Sequence, residues 1–396
     1  MKILQINTTV NTGSTGRITE EIGRVFIEHG HESYIAYGRG DENFSKSQLT
    51  RIGTKWSSYG HGIKTLLLDR HGFGSEYATK QLIIEIKKIN PDVIGLHNLH
   101  GYYLNIEVLF KFLESINKPI VWTLFDCWAF TGHCTYYDNI QCKKWKSECH
   151  QCPKISSYPR SLGVDQSRNN FKDKKALFNL PKKMKIVVHS RWLKSQVELS
   201  FLKNQSIDHI FNGTNLQLFK PYPLIEKKII LGVASTWDER KGLKDFVKLN
   251  VLLEDSYQIV LIGLNKKQID ALPDGILGIS RTENIEELVE WYNKASVFVN
   301  PTYQDNFPTT NIEALACGTP VITYDTGGSP EAIDVETGVV VKKKDIEGIV
   351  NAISFLRKKN VKQLSLNCRK RAEAFFDKNE RYQDYLNLYK ELLNGE

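Results

Sequence analysis

One stretch constrains this chain more than any other: residues 299–331, VNPTYQDNFPTTNIEALACGTPVITYDTGGSPE. The apolar residues Val297 to Val299, with Ala295 before them, run into Asn300-Pro301, so a buried strand stops there and an irregular loop begins. Asp305 lies in that loop. Pro308 suits the first turn of a helix with Asn306 as its cap, and the helix carries Glu313 before Cys317-Gly318-Thr319-Pro320 ends it. A second short strand, Val321 to Tyr324, leads into Thr326-Gly327-Gly328-Ser329-Pro330-Glu331. Two strand–loop–helix units in succession present helix N-termini at one edge of a parallel sheet, where free amides and the helix dipole attract an anion. That edge reads as a phosphate site.

Glu313, one to two turns into the helix, is placed to accept hydrogen bonds from ribose hydroxyls, and Asp305 from a sugar hydroxyl beside a diphosphate. Taken alone, the two acids fit a surface Glu and a polar loop equally well; the Gly327-Gly328 turn and the strand context favour the site. A third element is Ser235-Thr236-Trp237-Asp238-Glu239-Arg240-Lys241-Gly242, which follows a strand at Ile229–Ala234. A cation there, at the carboxyl edge of a strand, neutralises a diphosphate leaving group as charge builds on it, and Lys241 is the choice. The plainer alternative is that Arg240 and Lys241 only open a helix.

The remaining pattern is that of an α/β protein. Residues 2–7 read as a strand, Thr8 to Gly16 as a Gly/Thr/Asn loop, and Arg17 to His29 as a helix with Ile18, Ile22, Val25 and Phe26 on one face, the opening unit of a doubly wound sheet. Gly13 and Gly16 allow close approach of a ligand, or merely a turn. Further strands are expected at Tyr34–Tyr37, Val93–His97, Ile120–Leu124, Ile186–His189 and Ile207–Phe211, with helices at Glu76–Lys88 and Ile106–Ile116. At 396 residues the chain exceeds one core, and Phe219-Lys220-Pro221-Tyr222-Pro223 reads as a linker. The expected domains are 1–215 and 216–396. In the second, the strands at Ile229–Ala234, Ile259–Ile262, Val297–Val299 and Val321–Tyr324 repeat the plan, and Tyr382, Tyr385, Leu386 and Tyr389 form a core stripe on a last helix.

Several features bear on partners. No run of about 18 apolar residues marks a membrane span, and Met1 begins a strand directly, which leaves no signal peptide and points to the cytoplasm. A net charge of +8 suits a polyanion or plain solvation. Six lysines between Lys172 and Lys185 surround Ala176, Leu177, Phe178 and Leu180, which makes either a peripheral contact with an anionic membrane face or a solvated helix. In the loop Leu96-His97-Asn98-Leu99-His100-Gly101-Tyr102-Tyr103, His100 or Asn98 is placed to hold a second substrate. The Cys-rich loop 127–153 holds Cys134, Cys142, Cys149 and Cys152 within 19 residues, a set that suits structural zinc, an iron–sulfur centre or free thiols. Nucleic acid is not the expected partner, because it would leave the phosphate site at the strand ends unused.

The stretch 299–331 resembles the donor-binding segment of retaining glycosyltransferases of the GT-B fold, family 4, whose pattern is Glu-x7-Glu followed by Ala-x-Ala-Cys-Gly-x-Pro-Val. Asp305 and Glu313 stand eight apart, and Glu313-Ala314-Leu315-Ala316-Cys317-Gly318-Thr319-Pro320-Val321 matches closely; the first acid is Asp305 rather than Glu, one methylene shorter. Where the family has an Arg six residues before its Lys-Gly, this chain has Ser235, so Arg240 is the substitute. Phe125-Asp126-Cys127-Trp128 resembles the Thr-Leu-His-Asp-x-Trp of a capsule and exopolysaccharide subgroup, with Phe125 in place of His. The resemblance implies two Rossmann-like doubly wound domains facing a cleft, the first on the acceptor side, the second binding the nucleotide sugar, and the last helix packing back on the first. It implies a catalytic set of Asp305, Lys241, Asp126 and His100. Contacts to a UDP- or GDP-sugar fall to Glu313, Arg240, Lys241, Gly16, Phe307, Thr309, Thr310 and Asn311. The implied reaction is retaining, metal-independent transfer to a glycan or lipid-linked acceptor of a bacterial surface polysaccharide. A nucleotide-sugar epimerase of the same fold and a zinc-stabilised nucleic-acid-binding protein are the alternatives.

Overall fold

The computed structural model describes residues 1–223, 228–253 and 257–395. They form two units, Met1–Ile210 with Tyr382–Glu396, and Phe211–Arg381. In the first unit, β1 (Lys2–Asn7), β2 (Glu32–Tyr37), β3 (Gln48–Arg51), β4 (Val93–Leu96), β5 (Ile120–Leu124), β6 (Met184–Val188) and β7 (Ser206–His209) make one parallel sheet in the order β3-β2-β1-β4-β5-β6-β7. The central strands are near-continuous apolar runs because helices cover both faces. Leu4, Ile6, Ile94 and Trp122 face Leu82, Phe110 and Leu113. Their neighbours Ile3, Val93, Val121 and Val187 pack with Ile18, Ile22 and Phe26 of the first helix, Gly13–Glu28, and with Tyr382, Tyr385, Leu386 and Tyr389 of the last, Lys378–Asn394. Tyr389 meets Phe26 edge to face with centroids 5.1 Å apart, so the aromatic stripe is core.

The second unit repeats the plan with β8 (Ile229–Val233), β9 (Gln258–Ile262), β10 (Ile276–Ile279), β11 (Ala295–Asn300), β12 (Val321–Tyr324) and β13 (Gly338–Val341), ordered β10-β9-β8-β11-β12-β13 and parallel throughout. Each sheet reverses its order once, between β1 and β4 and between β8 and β11. Ligands of such sheets bind beyond the carboxyl ends of the strands at that reversal.

Three local expectations are corrected. The helix after β11 runs Thr309–Ala316 with Pro308, not Asn306, at its N-cap, because Pro308 is extended (ψ 120°) and no side chain caps the turn. The Gly327-Gly328 turn opens a four-residue 3-10 helix, Ser329–Ala332, too short to carry a macrodipole. In the lysine-rich segment the helix ends at Phe178, Met184 begins β6, and Lys174 is buried rather than on the solvated or membrane-facing surface expected of it. Lys174 Nζ donates to Trp128 O at 2.8 Å and Thr131 O at 3.1 Å and lies 3.6 Å over the Trp128 ring. No helix among the described residues is long and apolar enough to cross a membrane.

Candidate functional site

In the second unit the chain leaves β8 and forms a single 3-10 turn, Glu239–Lys241, closed by Gly242 at φ 75°. A Cβ on Gly242 would lie 2.3 Å from Pro301 O, so only glycine lets this turn abut the loop after β11. Tyr303 N donates to Arg240 O at 2.7 Å and joins the two loops. The result brings together two of the residues expected at the site: Lys241 Nζ lies 2.6 Å from Asp305 Oδ2, with both side chains about four-fifths buried. Arg240 turns aside, its Nε donating to Asp238 Oδ2 at 2.9 Å. Behind the loop, Tyr303 and Tyr324 both donate to buried Asp245, at 2.5 and 2.8 Å, which fixes where Asp305 stands. Burial first, and then the Asp245 carboxylate, push both phenols far above their ordinary range.

Glu313 is held from another side. Tyr292, on the helix Ile285–Lys294, donates to Glu313 Oε2 at 2.8 Å, and burial together with that carboxylate holds the phenol protonated. Thr309 and Thr310 form the uncapped first turn of the helix Thr309–Ala316 that carries Glu313, and are half-buried. Asn311 is fully committed within the protein: it accepts from Asn300 Nδ2 at 2.8 Å and donates to Ser329 O and Oγ at 3.2 and 3.0 Å. Phe307 is core, its ring packed between Phe211 and Phe376 with centroids 5.2 and 5.8 Å away. Gln304, next to Asp305, is buried with no partner on either amide atom.

In the first unit, Gly16 is closely packed: a Cβ there would meet Thr9 Oγ1 at 2.8 Å. After β4 and β5 the structure brings His100 and Asp126 together, Nε2 to Oδ2 at 2.7 Å. Asp126 Oδ1 accepts from Trp128 N at 2.9 Å, and His100 Nδ1 lies 3.1 Å from Tyr158 Oη. His100 and Asp126 line one small pocket with His97, Asn98, Thr123 and Phe125. Phe125 lies between His97 and His189, ring centroids 6.2 and 5.1 Å away. Burial pushes those imidazoles down to about 3 and about 4, so both are neutral. The sequence reading passed over Tyr158, His189 and Tyr292, whose partners lie 58, 64 and 21 residues away. Only His97, inside the loop quoted for His100, carried a local signal.

The expected zinc site is not supported. Among the described residues no group of three or more His, Cys, Asp or Glu side chains is arranged to hold a metal ion. Cys149 Sγ accepts from Gly132 N at 3.2 Å, and the free Cys134 and Cys152 side chains share a hydrogen bond, which holds Cys152 below and Cys134 well above the ordinary thiol range. Cys142 is half-buried beside Trp145, whose Nε1 donates to Cys142 O at 3.0 Å. What orders loop 127–153 is apolar burial: Trp128, Phe130, Tyr137 and Trp145 are all in the core, with Tyr137 stacked on Trp145 at 4.8 Å.

Two parallel doubly wound sheets, with a cation–carboxylate pair at the order reversal of the second, define the class as a GT-B protein. Residues 227–359 match the family described as Glycosyl transferases group 1, so the second unit carries a glycosyl transferase group 1 domain. Over the whole length, the chain is similar to the putative colanic acid biosynthesis glycosyl transferase WcaC of Escherichia coli (strain K12), 23% identical over 420 residues that cover 99% of this chain and 100% of that one. Among solved structures it is similar in fold to a sucrose-phosphate synthase from Thermosynechococcus elongatus, with TM-score 0.74 and 19% identity over 100% of both chains. It is also similar to Anabaena Alr3699/HepE in complex with UDP, with TM-score 0.69 and 13% identity over 98% of this chain and 100% of that one.

Proposed function

We propose that this chain is a glycosyltransferase that moves a sugar from a nucleotide-diphosphate sugar, with UDP or GDP as carrier, to a bacterial surface-glycan acceptor of the capsule, exopolysaccharide or O-antigen kind. The observation that carries the reading is Lys241 held 2.6 Å from Asp305 at the order reversal of a group 1 domain. A cation poised beside a carboxylate is stable without ligand, and it exchanges that carboxylate for a phosphate when the donor enters. Lys241 then meets the charge that builds on the leaving diphosphate, with the uncapped amides at Thr309 and Thr310 adding their share and Arg240 available from Asp238. This supply of positive charge makes the transfer metal-independent. Asp305, released, takes a hydroxyl of the donor sugar. Glu313, oriented by Tyr292, accepts from the ribose.

The second unit is the donor side and the first the acceptor side, where His100, oriented by Asp126, holds the acceptor hydroxyl. The sugar keeps its anomeric configuration. The colanic acid relative and the UDP-bound structural neighbour support the substrate class. The test is incubation of purified protein with UDP- and GDP-sugars and glycan or lipid-linked acceptors, followed by proton NMR of the product. The expected product carries the donor's anomeric configuration; an inverted product, or release of a nucleotide-free epimer, contradicts the reading.

A further inference from the structure

Close to the His100 pocket, the first unit carries a cation that the protein itself does not spend. Arg39, just after β2, is exposed and forms no ion pair among the described residues. Its Nη1 donates to Gly101 O at 3.4 Å, and the guanidinium lies 5.8 Å from the centre of the Tyr102 ring. Tyr102 stands at φ 67°, a left-handed backbone that bulky residues rarely adopt and that gathers at ligand sites. Its half-buried ring meets that of Tyr158, 42% exposed, with centroids 5.9 Å apart. Tyr158 comes from a different element, the long connection between β5 and the helix Ser167–Phe178. Buried His71 packs against both rings, 4.8 Å from Tyr102 and 5.5 Å from Tyr158. Its Nε2 accepts from Gly101 N at 3.4 Å, so Nδ1 carries the proton, and that donor has no partner among the described residues.

We propose that Arg39, Tyr102 and Tyr158 form a subsite for a pyranose ring that carries an oxyanion, either a carboxylate or a phosphate. The two rings offer an apolar surface to the C–H face of a sugar, and the planar guanidinium offers parallel N–H donors to two oxygens of the anion. The subsite joins the pocket described above through Tyr158. Asp126 takes the proton of His100 Nε2, so in the neutral imidazole Nδ1 accepts from Tyr158 Oη, 3.1 Å away. Both nitrogens of His100 are then engaged, and the phenol stands where a sugar hydroxyl would bind. A hydroxyl that enters exchanges with the phenol. The sugar behind it lies against the two tyrosines with its anion on Arg39, and the unpaired His71 Nδ1 gains an acceptor. In the proposed function this sugar is the acceptor, so the inference adds that the acceptor is acidic; only that identification rests on the proposed function.

The test is saturation-transfer NMR titration of the full chain with methyl glucuronide, glucose 6-phosphate and methyl glucoside, the last having a hydroxymethyl group where the first has its carboxylate. At least one anionic sugar is expected to bind roughly tenfold tighter than the glucoside, with salt narrowing the gap. The tighter of the two names the anion as carboxylate or phosphate. Arg39→Gln is expected to erase the preference while glucoside binding and melting stay unchanged, since the side chain is exposed. Tyr158→Ala is expected to weaken all three sugars roughly fivefold, whereas Tyr158→Phe, which keeps the ring, binds them as the wild type does. No saturation transfer from any of the sugars, equal affinity for charged and neutral ones, or a preference that survives in Arg39→Gln overturns the proposal. Saccharide binding needs no donor, so a protein that binds the anionic sugar but no nucleotide sugar sinks the enzymatic reading and leaves this one standing. Transfer to a neutral acceptor, equally fast in wild type and Arg39→Gln, does the reverse.

Discussion

Lys241 and Asp305 form a partly exposed ion pair, so its worth to stability is small, and its worth to function is the test. Lys241→Ala removes the charge that faces the leaving group and is expected to lower kcat by about 10²-fold or more with melting nearly unchanged; equal turnover at saturating donor contradicts the assignment. Glu313→Gln keeps the shape and the contact with Tyr292 but turns a charged acceptor into a neutral one, which should weaken nucleoside diphosphate binding by about 1–2 kcal/mol in a calorimetric titration. Unchanged affinity removes Glu313 from the site. At this scale the sequence was legible where chemistry is local. Asp305, Glu313 and Lys241 follow strand ends that can be read from a few neighbours. Tyr292, Tyr158 and His189 act through partners in other elements, which no local spacing reveals. Asn311 and Phe307 show the converse: both lie in the segment read as ligand-binding, and both spend their side chains on the protein.

Among elements, the loop between β5 and the helix Ser167–Phe178 departs most from expectation. Its length and its thiols pointed to a metal cross-link, but the buried aromatic residues Trp128, Phe130, Tyr137 and Trp145 supply the burial instead. Trp145→Ala should therefore cost about 3–5 kcal/mol in urea unfolding of the intact chain. A loss below 1 kcal/mol would mean that something else orders the loop. Edge strands β3, β10 and β13 were also invisible. Gln48–Arg51 has no fully buried residue and no apolar alternation, whereas β1, β4 and β5 are buried on both faces and announce themselves as apolar runs. The helix Lys55–Leu68 is a third case, because the residues it buries, His61 and Thr65, are polar and their partners lie beyond the helix or along its own backbone.

At the scale of the whole molecule, the first unit stores a pH dependence. His61 and His97 are pushed down to about 3, His189 to about 4 and His71 well below its ordinary value, in each case chiefly by burial. A folded-state pKa below the unfolded value of about 6.5 means that the unfolded chain binds more protons, so stability is fully present above that pH and is lost below it, by up to about 1.4 kcal/mol per pH unit per group. His133 opposes the trend: although buried, it is held above its ordinary value by the hydrogen bond and charge of Asp69. Four groups outweigh one, and the urea midpoint is expected to fall between pH 7 and pH 5; a flat profile contradicts the burial of these imidazoles as neutral species. The central claim, that the loops after β8 and β11 form a nucleoside-diphosphate site, is tested most directly by thermal melting of wild-type protein and Glu313→Gln with UDP, GDP and their sugars. Saturation at about a hundredfold over Kd stabilises by about 2.7 kcal/mol, a rise of a few degrees in Tm. The predicted result is such a rise with at least one of these ligands in the wild type, much reduced in Glu313→Gln. No rise with any of them, or an equal rise in both proteins, would contradict it.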